Sequence, residues 1–190
     1  CLYRVHEGPT PEKLEILRGY LKALAVHAQL PDDPPPSAFQ AIAEATKDRP
    51  DAAQIHSMLL RSMQQAIYTP VNSGHFGLAF EAYTHFTSPI RRYPDLLVHR
   101  VIKSILAGKK YQLPPLPMPG EAQHKLARQW AAKGRQETPP GAGAAPRDQQ
   151  GWEAAGLHCS ANERRADEAS RDVEAWLKCK YMREHLGEEF

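Results

Sequence analysis

Proline sets the outer limits on what this chain can fold into. Its 17 prolines gather mainly at residues 31–36 and 114–140, about twice the ordinary usage. A residue that lacks an N–H and clashes with the preceding turn cannot sit inside a helix or a central strand. Regular structure is therefore expected between those stretches. Thr10, Pro11 and Glu12 read as N-cap, first helical residue and first-turn acid, and Leu14, Leu17, Leu21 and Leu24 follow at helical spacing. This pattern predicts a helix over 11–28, stopped by "LPDDPPP". Ser37 is placed to cap a short helix carrying Phe39 and Ile42, and Asp51 to cap another through Ile55, Leu59, Met63 and Ala66.

From Gly74 the pattern changes. Phe76, Leu78 and Phe80 alternate at period two, which predicts a short strand leading into "YTHFTSPIRRY". Pro94 opens the next helix, expected to run to Ala107 with Gly108 as its stop. Residues 109–118 and 136–151 read as flexible connectors around a helix near 121–135. Ser160 with Glu163 forms a capping-box pattern, and Ala166, Ala169, Val173, Trp176, Leu177 and Met182 then repeat at helical spacing until Gly187. At ~1.5 Å per residue that last helix is roughly 40 Å long. The fold class expected is α/β, dominated by helices.

No apolar run approaches the ~20 residues that a bilayer span needs, so no membrane partner is expected. The three cysteines, Cys1, Cys159 and Cys179, are too scattered for a disulfide framework or a zinc pair. A cytoplasmic setting follows as the expectation, with Cys159 and Cys179 as buried apolar residues. The net charge of +2 conceals one basic stretch. Residues 61–110 carry 7 basic and 2 acidic groups, whereas residues 1–60 carry 6 and 8. A polyanion would meet the chain in that middle segment.

The same segment holds the richest chemistry, "GHFGLAFEAYTHFTSPIRRYPDLLVHR" over 74–100. Tyr83 and Tyr93 offer aromatic faces, Thr87 and Ser88 hydroxyls, and Arg91 and Arg92 adjacent guanidinium forks. Aromatic faces stack on bases, hydroxyls and N–H groups bind phosphate oxygens, and an arginine fork grips a phosphate through paired hydrogen bonds. The plainer reading leaves Arg91 and Arg92 as surface charges or pairs them with Asp95, and buries Phe76, Phe80 and Phe86 in the core. His75, His85 and His99 lie 10 and 14 residues apart, matching no local metal-ligand pattern. Asp95 is expected to orient an arginine or cap the helix.

The stretch "HFGLAFEAYTHFTSPIRRYPDLLVHR" closely resembles the signature of the catalytic RNB domain of the ribonuclease II and ribonuclease R family. The likeness extends to "LYRVHEGPTPEKLEILRGYL", "LLRSMQQAIY" and "CSANERRADEASRDVEAWLKCKYM", and is nearer to ribonuclease R than to ribonuclease II. It implies a processive 3′-to-5′ exoribonuclease that draws single-stranded RNA into a channel and releases nucleoside 5′-monophosphates by Mg²⁺-assisted hydrolysis. The Arg of the "SPIR" motif, Arg91 here, is implied to contact phosphate beside the scissile bond. Tyr83, His85, Thr87, Ser88, Arg92 and Tyr93 become candidate RNA contacts. Arg164 and Arg165 join them, or else form a solvated helix face with pairs such as Asp167 and Arg171.

The resemblance places the Mg²⁺-binding aspartates upstream of everything in this sequence, so the metal's ligands are expected outside the chain and no metal site within it. Both ends read as interior to a longer polypeptide. Residues 1–187 correspond to the C-terminal portion of an RNB domain and 188–190 to the start of an S1 domain. The N-terminal RNB half, cold-shock domains and S1 domain of the same polypeptide are the implied partners beside single-stranded RNA. Such a piece alone is expected to be inactive. The reading from another class is a non-catalytic single-stranded RNA-binding module.

Overall fold

The computed structural model describes residues 1–114 and 149–188, and it divides at Tyr111 and Gln112 into two compact units. The first unit contains strands β1 (Tyr3–Val5) and β2 (Ile67–Thr69) and helices α1 (Pro11–Ala23), α2 (Pro36–Thr46), α3 (Ala52–Ser62) and α4 (Tyr93–Leu106). Within the second, the described residues form one long helix, α5 (Gln149–Met182). Helices dominate and the sheet is small, as expected.

The leucine stripe of α1 builds the core of the first unit. Leu14, Leu17 and Leu21 cluster with Phe39 and Ile42 of α2 and with Ile55 and Leu59 of α3, closed by Leu30. Helix α1 begins as its sequence dictates, with the Thr10 hydroxyl accepting from the Lys13 N–H. It ends earlier than its apolar spacing suggests, because Ala25 turns into the left-handed region at φ 53°. Arg18 spans the gap beyond, donating to the Leu30 carbonyl at 2.6 Å and to Asp32 at 3.0 Å. Lys13 donates to the Met63 carbonyl at 2.7 Å just past the end of α3.

Two expected caps are absent. Helix α2 starts on Pro36 after Pro35, so Ser37 lies inside its first turn. Asp51 precedes α3 without a capping hydrogen bond because its carboxylate pairs with Arg49 instead. Helix α3 stops at Ser62 rather than reaching Ala66, since the chain straightens at Met63 toward β2.

Strands β1 and β2 pair antiparallel with Arg4 opposite Tyr68. The Arg4 guanidinium lies 4.5 Å from the Tyr68 ring centroid, a cation–π contact across the pair. The signature stretch runs beside β1: Arg4 N–H donates to the Tyr83 carbonyl at 2.8 Å, Phe76 N–H to the His6 carbonyl at 2.7 Å, and the Thr84 hydroxyl to the Leu2 carbonyl at 2.8 Å.

The strand expected over 76–80 is instead a 3₁₀ turn, Phe76–Leu78, closed by Ala79 at φ 54°. The alternating aromatics do different work. Phe76 packs edge-on against Phe39 at 5.5 Å, whereas Phe80 is exposed. Helix α4 holds Pro94 in its first turn, and Gly108 follows at φ 66°, a conformation natural to glycine.

Helix α5 departs most from expectation. It already includes residues 149–151, assigned above to a connector, and Ser160 lies in its interior. The Ser160 hydroxyl donates back to the Gly156 carbonyl at 2.8 Å, so the serine satisfies itself within the helix rather than capping it. At 34 residues the helix is about 51 Å long. Its buried positions are Trp152, Ala155, Gly156, Cys159, Ser160 and Ala161. Val173, Trp176 and Leu177 of the apolar stripe are exposed, as is Cys179, contrary to its expected burial. The helix expected near 121–135, and most of the two connectors around it, lie outside the described residues.

Replacing Leu17, which is wholly buried, by alanine is expected to lower unfolding stability by about 2–5 kcal/mol. The same change at exposed Leu60 is expected to stay within about 0.5 kcal/mol. Urea unfolding of both variants measures the contrast.

Candidate nucleic-acid interface

The loop entering α4 is organised by a single carboxylate. Asp95, in the first turn of α4, is 0% exposed. Its Oδ2 accepts from the Ser88 backbone N–H at 2.8 Å and from Arg92 Nη2 at 2.8 Å. Ser88 returns the constraint through its carbonyl, which accepts from the N–H groups of Arg91 at 3.2 Å and Arg92 at 3.0 Å. Residues 88–92 are thereby closed into a tight turn on the end of the helix. Burial alone would raise the Asp95 carboxyl's pKa, but Arg92 and the Ser88 N–H outweigh it and hold the group below the usual carboxylate value. It is an anion here and not a proton donor.

The two adjacent arginines separate by role. Arg91 is exposed on the turn, while the Arg92 side chain is 23% exposed and turned inward onto Asp95. Arg92 Nε and Asp95 Oδ1 are buried with no hydrogen-bond partner among the described residues. The plainer expectation of an arginine–Asp95 pair therefore holds for Arg92. Thr87 is exposed, and Ser88 and Tyr93 are half-buried.

One helical turn beyond Asp95, His99 secures the same loop. Its Nε2–H donates to the Phe86 carbonyl at 2.9 Å, and the two rings stack at 4.3 Å with an interplanar angle of 6°. Phe86 is 44% exposed, so it is not the core residue expected from its hydrophobicity.

Tyr83 and His85 belong to a ring array beside this turn. Tyr83 meets His75 and His85 edge-on at 5.2 and 5.6 Å. The Tyr68 hydroxyl and His85 Nδ1 share a hydrogen bond at 2.8 Å. Desolvation, helped by the charges of Arg92 and Arg4, lowers the His85 pKa to about 4. The imidazole is thus neutral under physiological conditions, with Nδ1 occupied by the tyrosine. His6 and His75 approach to 5.0 Å between ring centroids. Their ring nitrogens serve backbone groups: His6 Nε2–H donates to the Gln64 carbonyl at 2.8 Å, and His6 Nδ1 and His75 Nδ1 accept from Gly77 and Leu78 N–H. Among the described residues no group of three or more His, Cys, Asp or Glu could hold a metal ion.

Arg164 is half-buried and Arg165 exposed on α5, in the second unit. Sequence reasoning missed Arg4 and Tyr68, whose pairing depends on strand register with no local signal. It also missed Phe86 and His99 as a stacked pair, although their spacing of 13 residues across one proline-led helix start was available.

The model of the RNB domain family matches residues 1–108. The chain belongs to the RNB-domain family. Over its whole length it is 41% identical to Ribonuclease R of Escherichia coli, and 40% identical to Ribonuclease R of Thermotoga maritima. It spans 20% and 23% of those two relatives. Among solved structures, Mycoplasma genitalium RNase R in complex with double-stranded RNA superposes with a TM-score of 0.73 at 23% identity, over 98% of this chain and 28% of that one. That likeness establishes the RNB fold. Yeast Ssd1, described as a pseudonuclease, matches 59% of this chain and 14% of its own with a TM-score of 0.51 at 26% identity. No described helix is long and apolar enough to cross a membrane.

The lowered pKa of His85 has a sign that can be checked. The unfolded chain, where the imidazole titrates near its ordinary 6.5, takes up this proton more readily than the folded one. Stability is therefore expected to fall as the pH drops from about 6.5 toward about 4. NMR titration of the His85 ring should place its midpoint near 4, and a midpoint between about 6 and 7 would contradict the half-buried, tyrosine-bound imidazole.

Proposed function

We propose that this chain is the RNA-gripping portion of a Mg²⁺-dependent, processive 3′-to-5′ exoribonuclease of the ribonuclease R type. The enzyme hydrolyses single-stranded RNA in the cytoplasm to nucleoside 5′-monophosphates. The observation that carries the reading is the Ser88–Arg92 turn. It presents an exposed Arg91 from a backbone fixed by a buried carboxylate, inside a segment matched by the RNB family model.

As water attacks a phosphodiester, negative charge grows on the non-bridging oxygens. A guanidinium held in place beforehand binds that charge more tightly in the transition state than in the ground state. Arg91 is the group assigned this role. Tyr83, His85, Thr87, Ser88, Arg92, Tyr93, Arg164 and Arg165 are assigned to holding the RNA strand. His85 can do so only as a neutral hydrogen-bonding ring.

Magnesium does not fit the residues described here. The one buried carboxylate of the turn is paired through Oδ2 with Arg92 and Ser88, and among the described residues no group of three or more His, Cys, Asp or Glu could hold the ion. The ion's ligands are assigned to other parts of the same polypeptide, with the remaining RNB, cold-shock and S1 domains. The alternative, a non-catalytic single-stranded RNA-binding module, draws support from the likeness to a protein described as a pseudonuclease.

In the full-length polypeptide, Arg91→Lys is expected to reduce the RNA degradation rate by about 100-fold or more, because an ammonium is a point charge and not a fork. A wild-type rate would remove Arg91 from the mechanism. The isolated chain, incubated with Mg²⁺ and a 5′-labelled single-stranded RNA, is expected to leave it intact. Stepwise 3′ shortening abolished by EDTA would show that the chain holds a complete centre of its own.

A further inference from the structure

We infer that Asp95 is a positioning residue that acts through Arg91, fixing the turn that presents the phosphate-binding guanidinium without touching RNA itself. The inference rests on the role proposed for Arg91 and adds the element that makes that role possible. An acidic residue in the first turn of a helix ordinarily sits in solvent and faces the helix's own free N–H groups. Asp95 does neither. It is fully buried, and its carboxylate reaches back seven residues to the Ser88 N–H while binding the Arg92 guanidinium on the other side of the turn. The residue between those two anchors that remains exposed and charged is Arg91.

His99 strengthens the case from the next turn of α4. It faces the same loop and holds the Phe86 carbonyl. Helix α4 thus fixes the loop at Phe86, Ser88 and Arg92 through two side chains four residues apart, which share one helix face. Anchored on both sides, the intervening backbone cannot swing. Arg92 is drawn into the same support, so its guanidinium is committed in part to Asp95 and only Arg91 keeps its whole fork for phosphate. Placement of this kind matters because a misplacement of ~1 Å at a reacting centre can cost about 100-fold in rate.

The test is a double-mutant cycle in the full-length polypeptide, with single-turnover rate and KM measured on a single-stranded RNA. Asp95→Asn nearly preserves shape and can still accept from Ser88 N–H, but it loses the charge that holds Arg92. It is expected to lower the rate about 10- to 100-fold with KM changed less than about twofold. In an Arg91→Ala background the same change is expected to have almost no further effect on the rate, since the guanidinium it positions has been removed. His99→Ala, which removes the second anchor of the same loop without touching a residue assigned to RNA, is expected to repeat the pattern more weakly and serves if Asp95→Asn does not fold. A wild-type rate in these variants overturns the inference. So does an equal loss in both backgrounds, or a loss confined to KM. An Arg91→Ala enzyme of wild-type rate would instead overturn the role of Arg91 proposed above.

Discussion

A buried carboxylate that reaches across a turn is the constraint on which the signature region depends. Burying Asp95 costs free energy unless its charge is met, and here it is met by a guanidinium and a backbone N–H drawn from either end of one short turn. The cost of burial thereby becomes conformational control. Removing Arg92 would leave the buried carboxylate with only a backbone N–H against it, so the turn and the helix start are tied together through this pair. An exposed ion pair between the same residue types would contribute little and would fix nothing.

The remaining architecture delivers the chain to that turn. The three-helix core of α1, α2 and α3 is assembled from leucine, isoleucine and phenylalanine at helical spacing. Strand β1, paired with β2 on one side, lends its backbone groups to the signature stretch, so the loop from Gly74 to Thr84 is held by hydrogen bonds to His6, Arg4 and Leu2. The ring array of Tyr68, Tyr83, His75 and His85 lies beside it. Desolvation, with the charges of Arg92 and Arg4 added to it, keeps His85 uncharged there. Positive charge is thus concentrated on guanidinium groups, which cannot lose it at physiological pH.

Much of this was legible in the sequence where a local rule acts alone. Thr10–Pro11–Glu12 and the leucine spacing placed α1, Pro94 and Gly108 placed α4, and the two Arg–Asp95 alternatives included the pair that forms. Local rules failed where two of them competed. Phe76, Leu78 and Phe80 have the period of a strand, yet Phe76 is claimed by Phe39 of the helical core and the chain coils to let it reach. Ser160 and Glu163 have the spacing of a capping box, but a helix already running from Gln149 leaves no free N–H to cap. The early end of α1 at Ala25 carries no glycine to announce it. Register-dependent contacts such as Arg4 on Tyr68 are invisible to any short-range pattern.

The central claim is that Asp95 holds the Ser88 backbone and so fixes the turn bearing Arg91. Amide hydrogen exchange at Ser88 tests it most directly, because this N–H lies in irregular chain where no helix or sheet would protect it. The account predicts exchange slowed by at least about 100-fold relative to an unstructured peptide, with the protection lost when Asp95 is replaced by alanine. Exchange of the Ser88 amide at the unstructured rate in the unaltered chain would contradict it.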